Sequence, residues 1–413
     1  MKTNLLKDER GIALVIAMML LLVTTLIGIS AVTTTTYDNL ISGNKRASEQ
    51  AFYVTEAGIN EFLGRFRSGA TSEITDSAES NTTETIPPWR ILLAKSSGMG
   101  ATKLGAGDAN TTSVTSLQTQ LDFGVVVTHK VDGANPPNII KYANKPIYIA
   151  KSYGFTADGG NKVIEVELKI PLFDPPAALY AENPANIKGT STKIIGLDGC
   201  GTNNKYGIVS TLSETVTEPK SVDYSTGNPT ISGIGSPTGT PPSIQYNANN
   251  LNLQEAVNQF KNDANFSYNY TGNETKTGLS WGTPTFPPGT PVAQQTEIPL
   301  TYTGNPNIVY FNMQGNKTIK LAGGTTGAGI LIVDGNLELN GGVTWYGIII
   351  VTGALDFTGG GEKNVTGGIL AGESATIEID VAGNAGIIYC SSVANWLKNG
   401  LSPFIITRWR EIF

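Results

Sequence analysis

The sequence predicts an α+β protein that is mainly β, with a long N-terminal transmembrane helix, an antiparallel hairpin or sheet, and a Gly-rich β-solenoid. Three observations predict this class. An uncharged apolar run follows a short charged N-terminus. Only 15% of the 413 residues are charged whereas 48 are Gly and 21 are Pro, which favours short strands joined by close turns. A short strand motif recurs at a fixed interval near the C-terminus.

The apolar run forms the first element. No charged side chain occurs from Gly11 to Tyr37. At about 1.5 Å per residue, residues 12–32 extend about 30 Å, which matches the hydrocarbon core of a bilayer. The basic residues before the run place the N-terminus on the cytoplasmic side, and a cleaved secretory signal would have a shorter apolar region. The predicted membrane-anchor residues are Ile12, Leu14, Ile16, Leu20, Leu22 and Ile27.

Beyond the membrane the pattern becomes amphipathic. Apolar residues such as Phe52, Ile59 and Phe62 alternate with polar residues at helical spacing. One helix over residues 12–66 is therefore predicted, with an interruption expected at Ser42-Gly43. A subunit that leaves the membrane to enter a helical filament needs such a helix, because its apolar half exchanges lipid for neighbouring helices.

Two short motifs carry a family resemblance that covers about 60 of the 413 residues. Lys7-Asp8-Glu9-Arg10-Gly11 followed by Ile-Ala-Leu-Val resembles the leader and cleavage site of a type IV prepilin, and Ala51-Phe52-Tyr53-Val54-Thr55-Glu56-Ala57-Gly58 resembles the PilX-type minor pilins. The resemblance implies that residues 1–11 are a leader, that a prepilin peptidase cuts after Gly11, and that the new terminal residue Ile12 is methylated.

The resemblance also implies a place in the filament. Major pilins usually carry a glutamate at the fifth mature position, where this chain has Ile16. That difference indicates a minor subunit near the tip or in the initiating complex. The implied partners are other major and minor pilins, the prepilin peptidase and the inner-membrane assembly platform. The implied location is the inner membrane, with the globular region outside the cytoplasm, and then the pilus or cell surface.

Residues 67–175 are predicted to form a pilin-like β domain. A polar stretch opens it, and then Ile164, Val166 and Leu168 alternate with charged residues after an Asp158-Gly159-Gly160 turn. Residues 147–156 supply the preceding strand of this antiparallel hairpin. The pilin fold implied by the resemblance places such a sheet against the second half of the helix.

The rest of the chain divides into two predicted regions. Residues 176–307 are rich in Thr, Asn, Gly and Pro and are predicted to be loop-rich, with a short helix near residues 251–260 and an edge coil within residues 186–208. Residues 308–413 are predicted to form the solenoid and a C-terminal cap. The segment from Phe404 is apolar enough to cover an open solenoid edge.

Repeats define the solenoid. An apolar-charged-apolar triplet recurs, and its first three copies are 18 residues apart: Ile319-Lys320-Leu321, Leu337-Glu338-Leu339, Leu355-Asp356-Phe357 and Ile377-Glu378-Ile379. A Gly-Ile step recurs at Gly329, Gly347, Gly368 and Gly386, and Gly pairs mark the corners. Stacked coils explain this pattern, since each apolar residue packs on its copy in the next coil.

Stacking would align the charged residues of the triplets in one outward column, about 4.8 Å apart. Lys320 would neutralise Glu338, and the remaining acids would repel each other. A bound Ca²⁺ would relieve that repulsion, which makes Glu338, Asp356 and Glu378 weak metal candidates. Solvated surface acids are the simpler interpretation, and no other cofactor is predicted.

Several function classes are disfavoured. A single histidine, His129, removes zinc triads and Ser/His/Asp catalysis. The net charge of −6 argues against nucleic-acid binding. The charged column has no Arg or His partner within the repeat, so enzymatic action is not predicted. The two cysteines, Cys200 and Cys390, fit either one disulfide in an oxidising compartment or two unrelated buried thiols.

The favoured function is that of a minor pilin-like structural subunit that initiates, caps or decorates a type IV pilus. The alternative is a membrane-anchored adhesin or glycan-binding module; a pseudopilin of a secretion system is less favoured. Five aromatic residues could stack on sugars in the adhesin: Tyr246, Tyr268, Tyr270, Trp281 and Trp345.

Overall fold

The structure is a computed structural model of the chain. It describes residues 8–67, 90–95, 102–104, 123–142, 145–215, 220–283, 304–372, 379–382, 384–401 and 404–412.

Helix α1 (Asp8–Arg67) opens the fold. It is continuous, so the expected interruption at Ser42-Gly43 is wrong. One glycine costs a helix about 1 kcal/mol relative to alanine, which is too little to break a helix this long. Within the described residues α1 is the one helix long and apolar enough to cross a membrane, judged by length and composition.

An antiparallel sheet follows α1, in the order β2-β1-β3-β6-β7-β27. Strands β6 and β7 pair along their whole length, which confirms the predicted hairpin. A two-stranded hairpin of β4 and β5 lies beside this sheet. The bounds are β1 (Arg90–Lys95), β2 (Thr102–Leu104), β3 (Phe123–His129), β4 (Lys141–Tyr142), β5 (Lys145–Pro146), β6 (Tyr148–Phe155), β7 (Asn161–Lys169) and, at the end of the chain, β27 (Ile405–Ile412).

The place of β27 corrects the predicted C-terminal cap. The strand pairs antiparallel with β7, from Ile405 opposite Lys169 to Ile412 opposite Val163. It therefore completes the antiparallel sheet and does not cover a solenoid edge. Arg410 Nη2 lies 2.6 Å from Glu165 Oε1, and this charge pairing favours the edge of β7.

The remaining strands, with two helices, make a second structural unit. Their bounds are β8 (Ala177–Ala181), β9 (Ala185–Ile187), β10 (Lys193–Ile195), β11 (Tyr206–Ser210), β12 (Val222–Asp223), β13 (Thr230–Ser232), β14 (Ile244–Gln245), α2 (Leu253–Phe260), β15 (Phe266–Tyr270), β16 (Glu274–Thr277), β17 (Ser280–Trp281), β18 (Asn307–Met313), β19 (Thr318–Ala322), β20 (Thr326–Asp334), β21 (Asn336–Asn340), β22 (Val343–Val351), β23 (Leu355–Thr358), β24 (Lys363–Ala371), β25 (Ile379–Val381), β26 (Ala385–Tyr389) and α3 (Ser391–Gly400).

These strands form two parallel sheets that wind around one core, which is the geometry of a β-solenoid. Lys320 pairs with Glu338 and Glu338 with Asp356, so the predicted 18-residue register is confirmed for three coils. The fourth triplet is wrong, because Asp380 is the residue that pairs with Asp356. A fixed period cannot locate this strand, because the connection before β25 contains extra residues. Stacking keeps the strands in register but does not fix the length of the connections between them. Glu378 lies outside the described residues.

A glycine ladder crosses the three long strands β20, β22 and β24. Gly329 pairs with Gly347, and Gly347 pairs with Gly367. The third glycine of the ladder is therefore Gly367 and not Gly368, the position predicted from the Gly-Ile repeat. Gly386 is not part of the ladder, because it pairs with Asn364. A Cβ on Gly347 would overlap Gly329 O, and its φ of 148° disfavours other residues. Only glycine lets the coils approach at this point.

The coils do not stack in chain order. Across the seven-stranded sheet the order is β16-β19-β21-β23-β25-β9-β12. The coil from 177 to 195 therefore packs beyond the last C-terminal coil, and residues 266–281 form the opposite end. The predicted edge coil is present, since Ile194 pairs with Ile387, but a further coil follows it. The boundary predicted at 307/308 is wrong, because strands on both sides of it belong to one stack.

Both helices cover one outer side of the stack. Val257 of α2 and Val393 of α3 belong to a cluster with Ile330 and Ile348, whereas Leu331 and other alternate residues face the interior. Strands β20 and β22 are therefore buried on both sides, which explains why their sequences are continuously apolar instead of alternating between apolar and polar residues.

A disulfide closes the stack seam, which we define as the contact between the coil of residues 177–195 and the coil of residues 379–389. Cys200 and Cys390 are joined across 190 residues, with a Cα–Cα distance of 5.1 Å. Next to them, Asp198 Oδ1 accepts a hydrogen bond of 3.0 Å from the backbone N–H of Ser391, the first residue of α3. Burial would raise the pKa of Asp198, but hydrogen bonds from Ser391, Asn203 and Cys200 outweigh burial and lower it.

Candidate functional site

The N-terminal half of α1 is a long exposed apolar surface. The six predicted anchor side chains are between 53% exposed, at Ile16, and 64% exposed, at Leu14. Soluble surfaces rarely expose contiguous apolar area of this extent, so lipid or another protein must cover it. This half of α1 is the candidate functional site.

Its threonine hydroxyl groups donate hydrogen bonds to carbonyl oxygens of the same helix. Thr33 Oγ1 donates to Ile29 O at 3.0 Å, and Thr35 and Thr36 donate to carbonyls four residues earlier at 2.8 Å. A hydroxyl without a partner would be costly in hydrocarbon. The threonine-rich stretch is therefore compatible with an apolar environment.

The C-terminal half of α1 is fixed to the antiparallel sheet. Ile59 and Phe62 are fully buried and pack with Val125 of β3 and with Val166 and Leu168 of β7. The alternation predicted for β7 is confirmed, since its apolar residues face α1. Burying a Phe and an Ile contributes about 1.5–3 kcal/mol each, so the helix is held firmly at this end.

Small residues let the helix approach closely. Ala51, Thr55 and Gly58 are buried on the contact face, and a Cβ on Gly154 of β6 would lie 2.6 Å from Thr55 N and 2.7 Å from Ala51 O. Thr55 Oγ1 donates to Ala51 O at 2.6 Å and also lies 3.2 Å from Lys162 O. Sequence reasoning missed Thr55 and Gly154, although the helical spacing of the small residues within 51–58 was a usable signal.

Ion pairs connect neighbouring strands on the face of the sheet that is turned away from α1. Glu165 lies 3.2 Å from Lys151 Nζ and 2.6 Å from Arg410 Nη2. Lys130 Nζ lies 2.8 Å from Glu167, which also accepts from Thr407 Oγ1 at 3.1 Å. Burial would raise the pKa of Glu167, but the hydrogen bonds from Lys130 and Thr407 outweigh it and hold the pKa below its usual value.

The predicted processing site lies at the start of the same helix. Gly11 and Ile12 belong to the first turns of α1, and the Ile12 side chain is 60% exposed. Ile16, the fifth residue after the predicted cleavage site, has an exposed apolar side chain. Cleavage and methylation remain predictions.

A family model described as "PilX N-terminal" matches residues 10–60. This stretch is similar to the N-terminal domain of PilX-type proteins. It contains the predicted processing site, the exposed half of α1 and the small residues that face the sheet. The resemblance predicted from the two motifs is thereby confirmed for this part of the chain.

A solved structure, that of the competence-associated pilin ComZ from Thermus thermophilus, is 12% identical in sequence. The match covers 88% of this chain and 97% of that chain, with a TM-score of 0.24, which is too low to support an argument. No curated protein matches the chain.

Outside residues 10–60, the charged column behaves as an ion-pair network. Glu338 Oε1 lies 2.6 Å from Lys320 Nζ and accepts from Thr358 Oγ1 at 2.6 Å. Burial would raise the pKa of Glu338, but these bonds outweigh burial and lower it. Asp356 is next in the column, and the predicted neutralisation of Glu338 by Lys320 is confirmed. Among the residues described, no group of three His, Cys, Asp or Glu is placed to hold a metal ion.

The structure separates the five predicted sugar-stacking aromatics. Trp345 is 1% exposed and Trp281 is 2% exposed, so both belong to the solenoid core and cannot stack on a sugar. Tyr268 and Tyr270 are half-buried together on β15, at one end of the stack. Tyr246 is half-buried after β14, at the other end.

Proposed function

We propose that the chain is a minor pilin-like structural subunit of a type IV pilus, which initiates, caps or decorates the filament. The observation that supports this most is the division of helix α1 into two halves. The first half is apolar and exposed, the second half packs on a sheet, and both lie largely within the stretch that the PilX N-terminal model matches. The role is structural and not catalytic.

The two halves of α1 have different tasks in this proposal. The exposed half is stable in the inner membrane first and among neighbouring pilin helices afterwards, because both surroundings are apolar. The buried half carries the globular region outside the cytoplasm and sets its direction relative to the filament axis. A rigid connection is required for this, and the close contact at Thr55 and Gly154 supplies it.

Cleavage of the leader comes between the membrane-anchored form and the form assembled in the filament. The prepilin peptidase removes the charged leader by cutting after Gly11, and Ile12 becomes the methylated N-terminus. Ile16 then has no carboxylate to pair with the N-terminal amine of a neighbouring pilin. An uncompensated amine is unfavourable inside a filament, so this subunit belongs at a terminal position.

The test compares two glycine substitutions in the same helix. Gly11→Val blocks the cleavage site, and we expect it to leave the leader on the chain and to remove the chain from sheared filaments. Gly64→Val is the matched control, because Gly64 lies outside the exposed apolar half of α1 and a Cβ there meets no atom within 4 Å. The readouts are intact-mass measurement of the N-terminus and immunoblotting of purified filaments.

The proposal predicts a wild-type N-terminus at methylated Ile12 and copurification with pilins in substoichiometric amount. A mature wild-type chain that keeps residues 1–11, or a Gly11→Val chain that enters filaments normally, contradicts it. Copurification with a secretion-system filament instead identifies a pseudopilin.

A further inference from the structure

The end coil, residues 266–281 with strands β15, β16 and β17, terminates the solenoid on one side. Within the described part of the chain, β15 pairs only with β18, β16 only with β19, and β17 only with β20. The register places Phe266, Tyr268 and Tyr270 opposite Val309, Phe311 and Met313, which are core residues. The aromatic side chains of the end coil therefore lie across the end of the hydrophobic core.

Two of these rings form a flat floor. Tyr268 stacks on Phe311 with a centroid distance of 4.8 Å and an interplanar angle of 16°. This distance is the spacing of adjacent strands, so the rings stack along the solenoid axis. Tyr270 is parallel to Tyr268 within 5°, with centroids 6.4 Å apart. Both rings consequently lie across the axis; Tyr268 has one face on Phe311 and the other directed outward, whereas Lys276 Nζ lies over the ring of Tyr270.

The position of Tyr268 is fixed from the side. Trp281 Nε1 donates to the Tyr268 hydroxyl at 3.2 Å, and the two rings meet at 66°. Trp281 is itself buried against Phe311 and Trp345. The floor is thus preorganised, which reduces the entropy cost of binding a ligand on it.

Polar groups border the floor without a net charge. Lys276 Nζ lies 4.8 Å from the centroid of Tyr270 and 3.3 Å from Glu274 Oε2. The side chains of Lys276 and Glu274 are 30% and 38% exposed, so both can exchange hydrogen bonds with a ligand. Their charges cancel, which provides donors and acceptors but no attraction for an anionic chain.

The opposite end of the stack shows that closing the core does not require such a surface. There the strand residues that close the core are aliphatic, with Val222 and Ile231 3% and 0% exposed, and the half-buried Tyr246 lies after β14. At the end coil, by contrast, Phe266 is 38% exposed and the two tyrosines remain half-buried. A cap that served only to exclude water would bury these rings.

We infer that the end coil is a binding site for an uncharged glycan, with a pyranose ring stacked on Tyr268 and its hydroxyl groups bonded to Glu274 and Lys276. A pyranose has an apolar C–H face and a polar rim, which match a flat ring with donors and acceptors beside it. A nucleic acid could also stack, but phosphate binding requires clustered cations, whereas this site pairs its lysine with a carboxylate.

The test measures binding to the full chain by calorimetry, in a detergent that has no sugar headgroup. The probes are maltohexaose, cellohexaose and chitohexaose, together with a thymidine oligonucleotide. We expect one or more hexasaccharides to bind independently of salt concentration. Tyr268→Leu should weaken that binding about tenfold or more, as expected for the loss of one stacked ring.

Two controls separate stacking from folding. Tyr268→Phe keeps the ring face and should retain affinity within about twofold. Tyr246→Leu removes a half-buried tyrosine at the opposite end and should leave binding unchanged. The melting temperature of each variant identifies any that is destabilised.

Three results would overturn the inference: no binding of any hexasaccharide, unchanged binding in Tyr268→Leu, or binding of the oligonucleotide alone. The measurement uses the purified chain, so its outcome is independent of the cleavage and filament test. Either proposal can fail while the other stands.

Discussion

The antiparallel sheet and the parallel stack are both completed by distant parts of the chain, but by different means. The whole solenoid lies between β7 and β27, two neighbouring strands of one sheet. That sheet is joined to its last strand by ion pairs such as Arg410–Glu165. In the stack, a disulfide between Cys200 and Cys390 joins the coil that comes first along the chain to the coil that comes last. The comparison shows that the solenoid is an insertion in a helix-and-sheet domain, and that the insertion carries its own covalent closure.

The largest expected effect concerns the glycine ladder of the stack. Gly347→Ala places a Cβ against the backbone of the preceding coil at a positive φ, so we expect it to destabilise the stack by more than about 4 kcal/mol. Gly360→Ala is the matched control, because a Cβ there meets no atom within 4 Å. Urea unfolding of the full chain measures both. Equal midpoints for the two variants would show that the coils can separate at Gly347 without cost.

An intermediate effect is expected at the stack seam. Replacing both cysteines by serine, Cys200→Ser with Cys390→Ser, should cost about 2–4 kcal/mol, because the disulfide restricts a long loop in the unfolded chain. A reductant should destabilise the wild-type chain by a similar free energy, which lowers its melting temperature. The double variant is the control, and its melting temperature should not respond to reductant. A wild-type chain that is equally insensitive would mean that the seam needs no covalent closure.

The smallest effect concerns the ion pairs of the antiparallel sheet. The pKa of Glu167 is lowered from its ordinary value of 4.5, so the carboxylate stabilises the folded state above that pH. This stability is lost as the pH falls through the lowered pKa. Glu167→Gln should therefore lower the stability at neutral pH and flatten the acid limb of the stability curve below about pH 4.5, because its effect disappears once the wild-type carboxylate is protonated. Glu56→Gln in α1 is the control, and an identical acid limb in the Glu167 variant would exclude this contribution.

Several elements could be predicted from the sequence because their signals are local. The uncharged run predicts α1, the alternation at 163–170 predicts β7, and the 18-residue period predicts three coils. In each case the periodicity of the chain equals the geometry of the element, so neighbouring residues alone are sufficient. The processing motif at Gly11 and Ile12 is also local, but it rests on a family resemblance and cleavage there stays a prediction.

The partners of these elements were decided only by the tertiary structure. Alternating apolar residues show that a strand is half-buried but not which strand it joins, so β27 was assigned to the solenoid edge although it pairs with β7. The order of the coils, the pairing of Cys200 with Cys390 and the aromatic floor at Tyr268 likewise depend on contacts between distant segments. Such contacts leave no local period in the sequence, because the energy that selects them arises only when the segments meet.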